Sequence, residues 1–333
     1  MAKDFIVAIE LGSSKMTGIA GRKNPDGSIS ILAVAKEDSA SYIRKGVAYN
    51  IERTAQGLSN IVSKLKNTLK TEIEQVYVGI GGQSIHSVKN SIVKELPLDC
   101  IVSQDMVNEL MDTNRSMEYK DCEILDAITQ EYNVDGHYED DPVGIQARHL
   151  EGNFLNVLWR RSFYRNLNKS LDNSGIKVAE MYLAPLTMAD CVLTDAEKRA
   201  GCVLVDLGAD TTTVSVYYRN KLRHIAVLPL GGSNVTKDLE SLQIDEINAE
   251  AMKLKHPSAL TNEKDIDADA TLPIGDGRTI PSRMFIQVVE ARMLEIVENV
   301  KYLVPHEFAD KLLGGKYRGC ARRHYDMLMQ YNG

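Results

Sequence analysis

Two segments of the chain share a pattern in which an apolar run ends in a carboxylate and a glycine follows two positions later. The first lies in residues 5–15 and the second in residues 202–212, and each continues into a short turn of small polar residues. The carboxylates Glu10 and Asp206 stand 196 residues apart, and the two glycines keep the same separation. A supersecondary unit that recurs in one local register predicts two related domains.

The chemistry of this repeated turn suits phosphate. Glycine lets the backbone approach an anion closely, and successive N–H groups in such a turn form an anion-binding concavity. Further donors come from the side chains of Ser13, Ser14, Lys15, Thr211 and Thr212. Carboxylates do not bind phosphate, but one or two of them together with phosphates can hold hydrated Mg²⁺, the role predicted for Glu10 and Asp206. Two such turns facing each other would grip a nucleotide tail; the alternative is a pair of ordinary tight hairpins.

Composition narrows the class of protein. The 333 residues suffice for two or three domains. A formal net charge of −7 argues against non-specific nucleic-acid binding through a basic surface, so no nucleic-acid partner is predicted. No apolar run approaches the ~18 residues of a membrane span, and the first ten residues are too acidic for a signal peptide. The sequence therefore predicts a cytoplasmic protein.

Hydrophobic periodicity outlines the elements that position the two turns. The apolar run at 5–9 and the alternating segments that follow predict a three-stranded antiparallel meander, and the pattern returns after residue 202. Between them, residues 84–162 differ in character and predict a small inserted α+β subdomain. Helices are predicted at 54–69, 104–117, 163–175, 185–198 and 284–303, strands at 76–80, 85–94, 145–151, 154–159 and 176–183, and a polar loop at 261–280.

Several motifs resemble the actin-like ATPase superfamily and, within it, the FtsA family of bacterial cell-division proteins. They include IELGSSK at 9–15, VDLGADTT at 205–212, LPLGGSNVTKDL at 228–239, AEAMKLKHPSAL at 249–260 and EARMLEIVE at 290–298. The resemblance covers about residues 5–313. It implies an α/β fold of the actin-like (ribonuclease H-like) kind, with duplicated domains around a nucleotide cleft and an inserted α+β subdomain, 1C.

The same resemblance implies a division into subdomains. Those expected are 1A (1–83 and 163–199), 1C (84–162), an incomplete 2A (200–232 and 302–315), a helical 2B (233–301) and a tail outside the family pattern (316–333).

Site residues follow from the resemblance as well, with ATP and Mg²⁺ as the implied cofactors. The phosphates are expected between Gly12, Ser13, Ser14 and Lys15 on one side and Gly208, Ala209, Asp210 and Thr211 on the other, with Mg²⁺ near Glu10 and Asp206. Gly231, Gly232 and Asn234 are expected near the α-phosphate and ribose, Glu250 and Lys253 near the ribose and base, and Gln130 or Glu131 near the γ-phosphate. The last two would at most position water, because hydrolysis in this family is weak.

The resemblance further implies a scaffold of cell division at the inner face of the cell membrane. Such a protein binds ATP, polymerises and links the ring of FtsZ, whose C-terminal tail it binds through 233–301, to the membrane. It recruits later division proteins, expected here at 84–162. The alternatives are a small-molecule kinase or a pilus-assembly protein on the same ATPase core. A kinase needs a catalytic aspartate in a cleft-facing motif, for which 84–162 offers no clear candidate.

The chain departs from the family pattern after Gly315, beyond the helix that ends near Leu303. A strand leading into a triple-glycine turn under the adenine is expected there, but residues 316–324 show no strand pattern. We therefore predict that part of subdomain 2A is missing, through a reading frame broken near Gly315 or a natural truncation. The amphipathic membrane-binding helix of the family would be missing too, leaving a soluble protein.

Overall fold

The computed structural model describes residues 5–256, 259, 270–275, 277–309 and 318–319. The strands in these ranges are β1 (Ile6–Leu11), β2 (Lys15–Lys23), β3 (Ile29–Asp38), β4 (Ile43–Arg44), β5 (Val47–Ala48), β6 (Val76–Ile80), β7 (His86–Glu95), β8 (Cys122–Val134), β9 (His137–Glu139), β10 (His149–Arg160), β11 (Val178–Leu183), β12 (Cys202–Leu207), β13 (Thr212–Tyr218), β14 (Lys221–Leu228), β15 (Thr271–Gly275), β16 (Arg278–Pro281) and β17 (Arg318–Gly319). The helices are α1 (Ile51–Leu69), α2 (Gln104–Arg115), α3 (Arg161–Ser174), α4 (Ala184–Val192), α5 (Asp195–Ala200), α6 (Gly232–Glu240), α7 (Glu246–Lys255), α8 (Ser282–Leu303) and α9 (His306–Ala309).

Five strands form the sheet of the first domain, in the order β11-β6-β1-β2-β3. The predicted meander is confirmed, since β1, β2 and β3 pair antiparallel, while β6 runs parallel to β1 and β11. Helix α1 packs on this sheet because Leu58, Ile61 and Leu65 recur at helical spacing and are buried. Helix α1 begins three residues earlier than predicted, because the Asn50 side chain caps it by accepting a hydrogen bond from the Arg53 amide.

The second sheet has eight strands, in the order β17-β12-β13-β14-β7-β10-β8-β9. Strands β12, β13 and β14 repeat the opening meander, as the sequence predicts. The inserted block contributes β7, β8, β9 and β10, which pair antiparallel, with α2 packed against them. Strand β14 meets β7 at the pair Ala226–His86. The inserted subdomain and the second domain therefore share one continuous sheet, which the sequence did not indicate.

Three local predictions are wrong. The segments predicted at 145–151 and 154–159 belong largely to one strand, β10. This strand continues through Gly152, where only glycine leaves room for the Phe154 ring. The helix predicted at 185–198 is two helices, since Thr194 and Glu197 form a capping box that starts α5. The loop predicted at 261–280 contains the hairpin of β15 and β16.

The predicted absence of a strand after residue 315 is wrong at Arg318–Gly319. These two residues run parallel to β12, opposite Leu204 and Val205. Backbone pairing over two residues needs no alternation of apolar side chains, so the sequence gives no signal for it. The remainder of the predicted tail lies outside the described residues.

Helices α6, α7 and α8 lie almost entirely within residues 233–301, the range expected to form a helical subdomain, and share a hydrophobic core. Val235 and Leu239 of α6 pack in it with Phe285, Val289 and Met293 of α8. Across the described ranges, no helix is both long enough and apolar enough to cross a membrane.

Candidate functional site

The first turn, residues 12–15, connects β1 to β2 and is held from outside by one buried serine. The Ser39 hydroxyl donates to the Gly12 carbonyl oxygen at 2.6 Å, and the Ser39 amide donates to the Ser14 carbonyl oxygen at 3.2 Å. Glycine is required at position 12, because a Cβ there would lie 2.6 Å from the Lys15 carbonyl oxygen. The Ser14 and Lys15 side chains are exposed at the edge of the turn.

The second turn, residues 208–211, connects β12 to β13 and is held by the beginning of α6. The Gly208 amide donates to the Thr211 carbonyl oxygen at 2.8 Å. The carbonyl oxygens of Gly208 and Ala209 accept from the amides of Gly232 (3.0 Å) and Ser233 (2.7 Å). This packing leaves no room for a side chain at Gly231, whose Cβ would lie 2.5 Å from the Ala209 oxygen.

The two turns lie close together, although they belong to different domains. The Gly46 amide donates to Ser13 Oγ at 2.7 Å, and the neighbouring Lys45 amide donates to Asp210 Oδ2 at 3.0 Å. Since consecutive Cα atoms are only ~3.8 Å apart, Ser13 and Asp210 flank one short piece of backbone. The turns therefore face each other, the arrangement expected of a clamp around one phosphate chain.

A buried ammonium group lies behind the second turn. Lys253 Nζ donates to the Gly232 carbonyl oxygen (3.0 Å), to Thr236 Oγ1 (2.9 Å) and to Glu250 Oε2 (2.6 Å), and the lysine side chain is only 9% exposed. Asn234 Oδ1 accepts from the Gly231 amide at 3.0 Å. Helices α6 and α7 thus bring to one end of the second turn the three residues predicted near the α-phosphate and ribose and the two predicted near the ribose and base. Glu250 is half-exposed there.

The carboxylates predicted near Mg²⁺ end the first strand of each domain. Glu10 and Asp206 are both partly buried and both take part in interactions with neighbours. In the described part of the chain, no three His, Cys, Asp or Glu side chains are grouped closely enough to ligate a metal by themselves. The residues fit an ion held by two carboxylates, water and phosphate.

The structure does not bring Gln130 and Glu131 to the two turns. They lie on β8, where Arg223 Nη1 donates to Gln130 Oε1 (3.0 Å) and to Glu131 Oε2 (3.3 Å). Arg223 is near the start of β14, whereas the second turn adjoins the far end of that strand. A hydrogen bond from Lys221 beside them lowers the pKa of the Asp140 carboxyl. These side chains join the inserted subdomain to the β13–β14 hairpin.

Four residues at the site were not predicted: Ser39, Lys45, Gly46 and Thr236. Gly46 carries the one usable signal, because a glycine after the polar residues Arg44 and Lys45 is typical of a turn, and its φ of 72° agrees. Lys45 acts through its backbone amide and Ser39 through contacts with residues more than twenty positions away, so local sequence gives no indication of either.

The fold places the chain in a structural class. The PilM-PilN type IV pilus biogenesis complex aligns with a TM-score of 0.60 and 14% identity, over 95% of this chain and 81% of that one. MreB5 of Spiroplasma citri bound to ADP aligns with a TM-score of 0.55 and 12% identity, over 96% and 84%. At these identities the likeness shows the fold alone. The chain has the actin-like fold, with an inserted subdomain.

Family comparisons are more specific. The family described as Cell division protein FtsA matches residues 203–308, and the SHS2 domain inserted in FTSA matches 82–158. FtsA of Porphyromonas gingivalis is 33% identical over 298 residues, which are 87% of this chain and 62% of that protein. FtsA of Escherichia coli is 26% identical over 306 residues, 90% of this chain and 72% of that protein. The chain belongs to the FtsA family.

Proposed function

We propose that the chain binds ATP with its phosphates between the first and second turns. The observation that supports this most strongly is the double hydrogen bond of the Lys45–Gly46 backbone to Asp210 and Ser13, which sets the two turns face to face. Lys15 lies exposed at the first turn, where its charge suits phosphate oxygens. Structures with this fold include MreB5 of Spiroplasma citri bound to ADP and bound to AMPPNP, with TM-scores of 0.55 and 0.51.

Two carboxylates would hold Mg²⁺ through water, Glu10 from the first domain and Asp206 from the second. Bound there, the ion would neutralise charge on the phosphates. The chain's own residues bind and orient: the turn backbones and Ser13, Ser14 and Thr211 receive the phosphates, while Glu250 and Lys253 receive the ribose and base. Gln130 and Glu131 are engaged elsewhere, so we assign no water-positioning residue and expect at most weak hydrolysis.

In the cell, we propose a scaffold of division that polymerises and connects the FtsZ ring to the inner face of the membrane. The family assignment supports the division role. The separate core of α6, α7 and α8 supports 233–301 as the binding site for the FtsZ tail. The match at 82–158 to the domain inserted in FTSA supports 84–162 as the contact for later division proteins. The chain spans 62% of the Porphyromonas gingivalis relative, so each of these roles is proposed for it and not transferred whole.

The alternative of a pilus-assembly protein draws on the PilM–PilN likeness, but 14% identity supports only the fold. No specific observation favours a small-molecule kinase. Rapid ATP-dependent transfer of phosphate to a sugar in a coupled assay would overturn the scaffold proposal.

Calorimetry of ATP·Mg²⁺ binding tests the site. The double variant Lys15→Ala/Asp206→Ala is expected to abolish the binding heat, because it removes a phosphate donor from one turn and the carboxylate from the other. A matched control is Lys237→Ala/Glu240→Ala, which changes the same charges at two exposed positions of α6. Unchanged ATP affinity in the first variant, with circular dichroism showing a folded protein, would exclude this site.

Binding of a fluorescent peptide with the sequence of an FtsZ C-terminal tail tests the partner. We expect saturable anisotropy change with the whole chain, and loss of that change when unlabelled peptide competes. A folded chain that does not bind the peptide would remove the proposed FtsZ contact while leaving the nucleotide site intact.

A further inference from the structure

The backbone that joins the two turns is itself packed against a second glycine-rich segment. We call residues 45–46 and 82–83 the junction. The Gln83 amide donates to the Lys45 carbonyl oxygen at 2.8 Å. Gly46 and Gly82 both have positive φ, 72° and 114°, and lie in direct contact. A Cβ on Gly82 would lie 2.6 Å from the Gly46 carbonyl oxygen, so the two segments have no space to slide independently.

The junction continues into the inserted subdomain through a tryptophan. Trp159 Nε1 donates to the Gln83 carbonyl oxygen at 3.0 Å, and the Arg160 amide donates to Ser84 Oγ at 3.3 Å. Trp159 is 2% exposed and lies near the end of β10, the central strand of the inserted subdomain. One line of hydrogen bonds thus runs from Asp210 through Lys45 and Gln83 to Trp159.

We infer that the junction couples the occupancy of the phosphate site to the position of the inserted subdomain, through Lys45, Gln83 and Trp159. The inference rests on the proposed function. Ser13 and Asp210, which accept the junction amides, are among the groups proposed to meet the phosphates, and Asp210 belongs to the other domain. A phosphate brings negative charge beside the Asp210 carboxylate, so the Lys45–Asp210 bond differs in strength between the empty and occupied states.

Through this coupling, nucleotide binding changes the surface that residues 84–162 offer to partners. A site whose affinity depends on the junction must in turn change the junction when it fills, because linkage between two equilibria is reciprocal. The inserted subdomain is tied to the second domain by a second set of bonds, including Arg223 to Gln130 and to Glu131. It is therefore held at both ends by elements that adjoin or contain the phosphate site.

Trp159 is the only tryptophan in the sequence, so its fluorescence reports on this position alone. ATP·Mg²⁺ is titrated while calorimetry measures binding and tryptophan emission measures the surroundings of Trp159. In the unmodified chain we expect a saturable emission change with the midpoint of the calorimetric titration. Gly82→Ala is expected to separate the two signals: binding heat remains, with a changed dissociation constant because the coupling is reciprocal, and most of the emission change is lost. Gly27→Ala is the matched control, since Gly27 also has positive φ (85°) but nothing within 4 Å of its Cβ position.

Binding heat with unchanged emission in the unmodified chain, or a full emission response in a folded Gly82→Ala variant, would overturn the coupling and leave the nucleotide site standing. Absence of heat in the unmodified chain would remove the proposed function and this inference with it.

Trp159→Phe provides a second variant, which keeps an aromatic ring and deletes the indole donor. Hydrogen exchange is expected to show ATP-dependent protection of residues 45–46 in both proteins, and of 84–86 and 157–161 in the unmodified chain only. By reciprocity the variant should also change the ATP dissociation constant by about 5-fold or more. Identical protection patterns and equal dissociation constants in the two proteins would contradict the coupling.

Discussion

The first and second turns share one close backbone contact but are held by different parts of the protein. In each turn the glycine lies against the carbonyl oxygen of the residue three positions later. A Cβ added to Gly12 would lie 2.6 Å from that oxygen, and one added to Gly208 would lie 3.0 Å from it. The outer carbonyl oxygens of the first turn accept from the hydroxyl and amide of Ser39. Those of the second accept from two amides at the start of α6.

This difference indicates which positions tolerate change. A single substitution removes the Ser39 hydroxyl and leaves the Gly12 carbonyl oxygen without that donor. The amides of α6 cannot be removed by ordinary substitution, and they bring the helix backbone into contact with the second turn. We therefore expect the second turn to be more sensitive to added volume, and the first to lost polar groups.

The largest effect is expected from Gly231→Ala. Its Cβ would lie 2.5 Å and 2.6 Å from the carbonyl oxygens of Ala209 and Gly208, so either the turn or α6 must move. Such overpacking destabilises by about 1–3 kcal/mol, and displacing the turn should lower ATP affinity by about 100-fold, the equivalent of ~2.7 kcal/mol. Urea unfolding and calorimetry measure the two effects. The control is Gly81→Ala, whose Cβ position has no atom within 4 Å; equal losses in both variants would contradict the steric account.

A smaller loss is expected from Lys253→Met, which keeps the length of the side chain and removes three hydrogen bonds behind the second turn. A hydrogen bond to a charged group contributes about 1.5–3 kcal/mol to stability. The substitution also leaves the Glu250 carboxylate without its ion-pair partner. We expect ATP affinity to fall about 10-fold, equivalent to ~1.4 kcal/mol. Lys255→Met, at an exposed position of the same helix, should bind ATP as the unmodified chain does. Equal affinity of all three proteins would place Lys253 outside the site.

Ser39→Ala tests the hydroxyl that holds the first turn. It removes the 2.6 Å hydrogen bond to Gly12 but leaves the amide bond to Ser14. The free energy of unfolding is expected to fall by about 1 kcal/mol, less than for Gly231→Ala, as chemical denaturation would show. Ser39→Thr retains a hydroxyl and serves as the comparison for lost polarity. A loss as large as that of Gly231→Ala would remove the proposed difference between the turns.

The smallest effect is a dependence on alkaline pH at Tyr42, whose amide donates to the Ser39 carbonyl oxygen at 3.0 Å. Burial raises the pKa of Tyr42 from its ordinary value of 10.0 to about 12. Stability from the neutral phenol is fully present below pH 10 and is lost as pH rises from 10 to about 12, because the unfolded chain ionises first. In the described part of the chain the Tyr42 hydroxyl has no hydrogen-bond partner, so Tyr42→Phe should preserve neutral stability and flatten the alkaline loss. The exposed Tyr49 gives the control, Tyr49→Phe. If the free energy of unfolding of Tyr42→Phe still falls from pH 10 to about 12 as in the unmodified chain, the loss does not come from Tyr42.

The sequence predicted the two turns because everything that makes them is local. A buried strand, a carboxylate and a glycine within a few residues are enough to predict the turn, and the repeat at Gly12 and Gly208 pairs one with the other. Helix α8 was predicted almost to its ends for the same reason, since its apolar residues recur at helical spacing.

What escaped prediction depends on contacts between distant residues. The bond from Lys45 to Asp210 spans 165 positions and uses a backbone amide that nearly every residue has. Strand β8 alternates poorly, because many of its side chains are only partly buried on both faces of the sheet. The expected role of Gln130 came from a resemblance, and only the fold shows that Arg223 holds its side chain at the other end of β14.

Thermal unfolding with and without ATP·Mg²⁺ tests the central claim, that the two facing turns form a nucleotide site. A ligand that binds only the folded state adds about 2.7 kcal/mol at 100 times its dissociation constant. The unmodified chain should therefore melt several degrees higher with saturating ATP·Mg²⁺, and Gly231→Ala should show little of this increase at the same concentration. An unchanged melting temperature in the unmodified chain, or an equal increase in both proteins, would contradict the account.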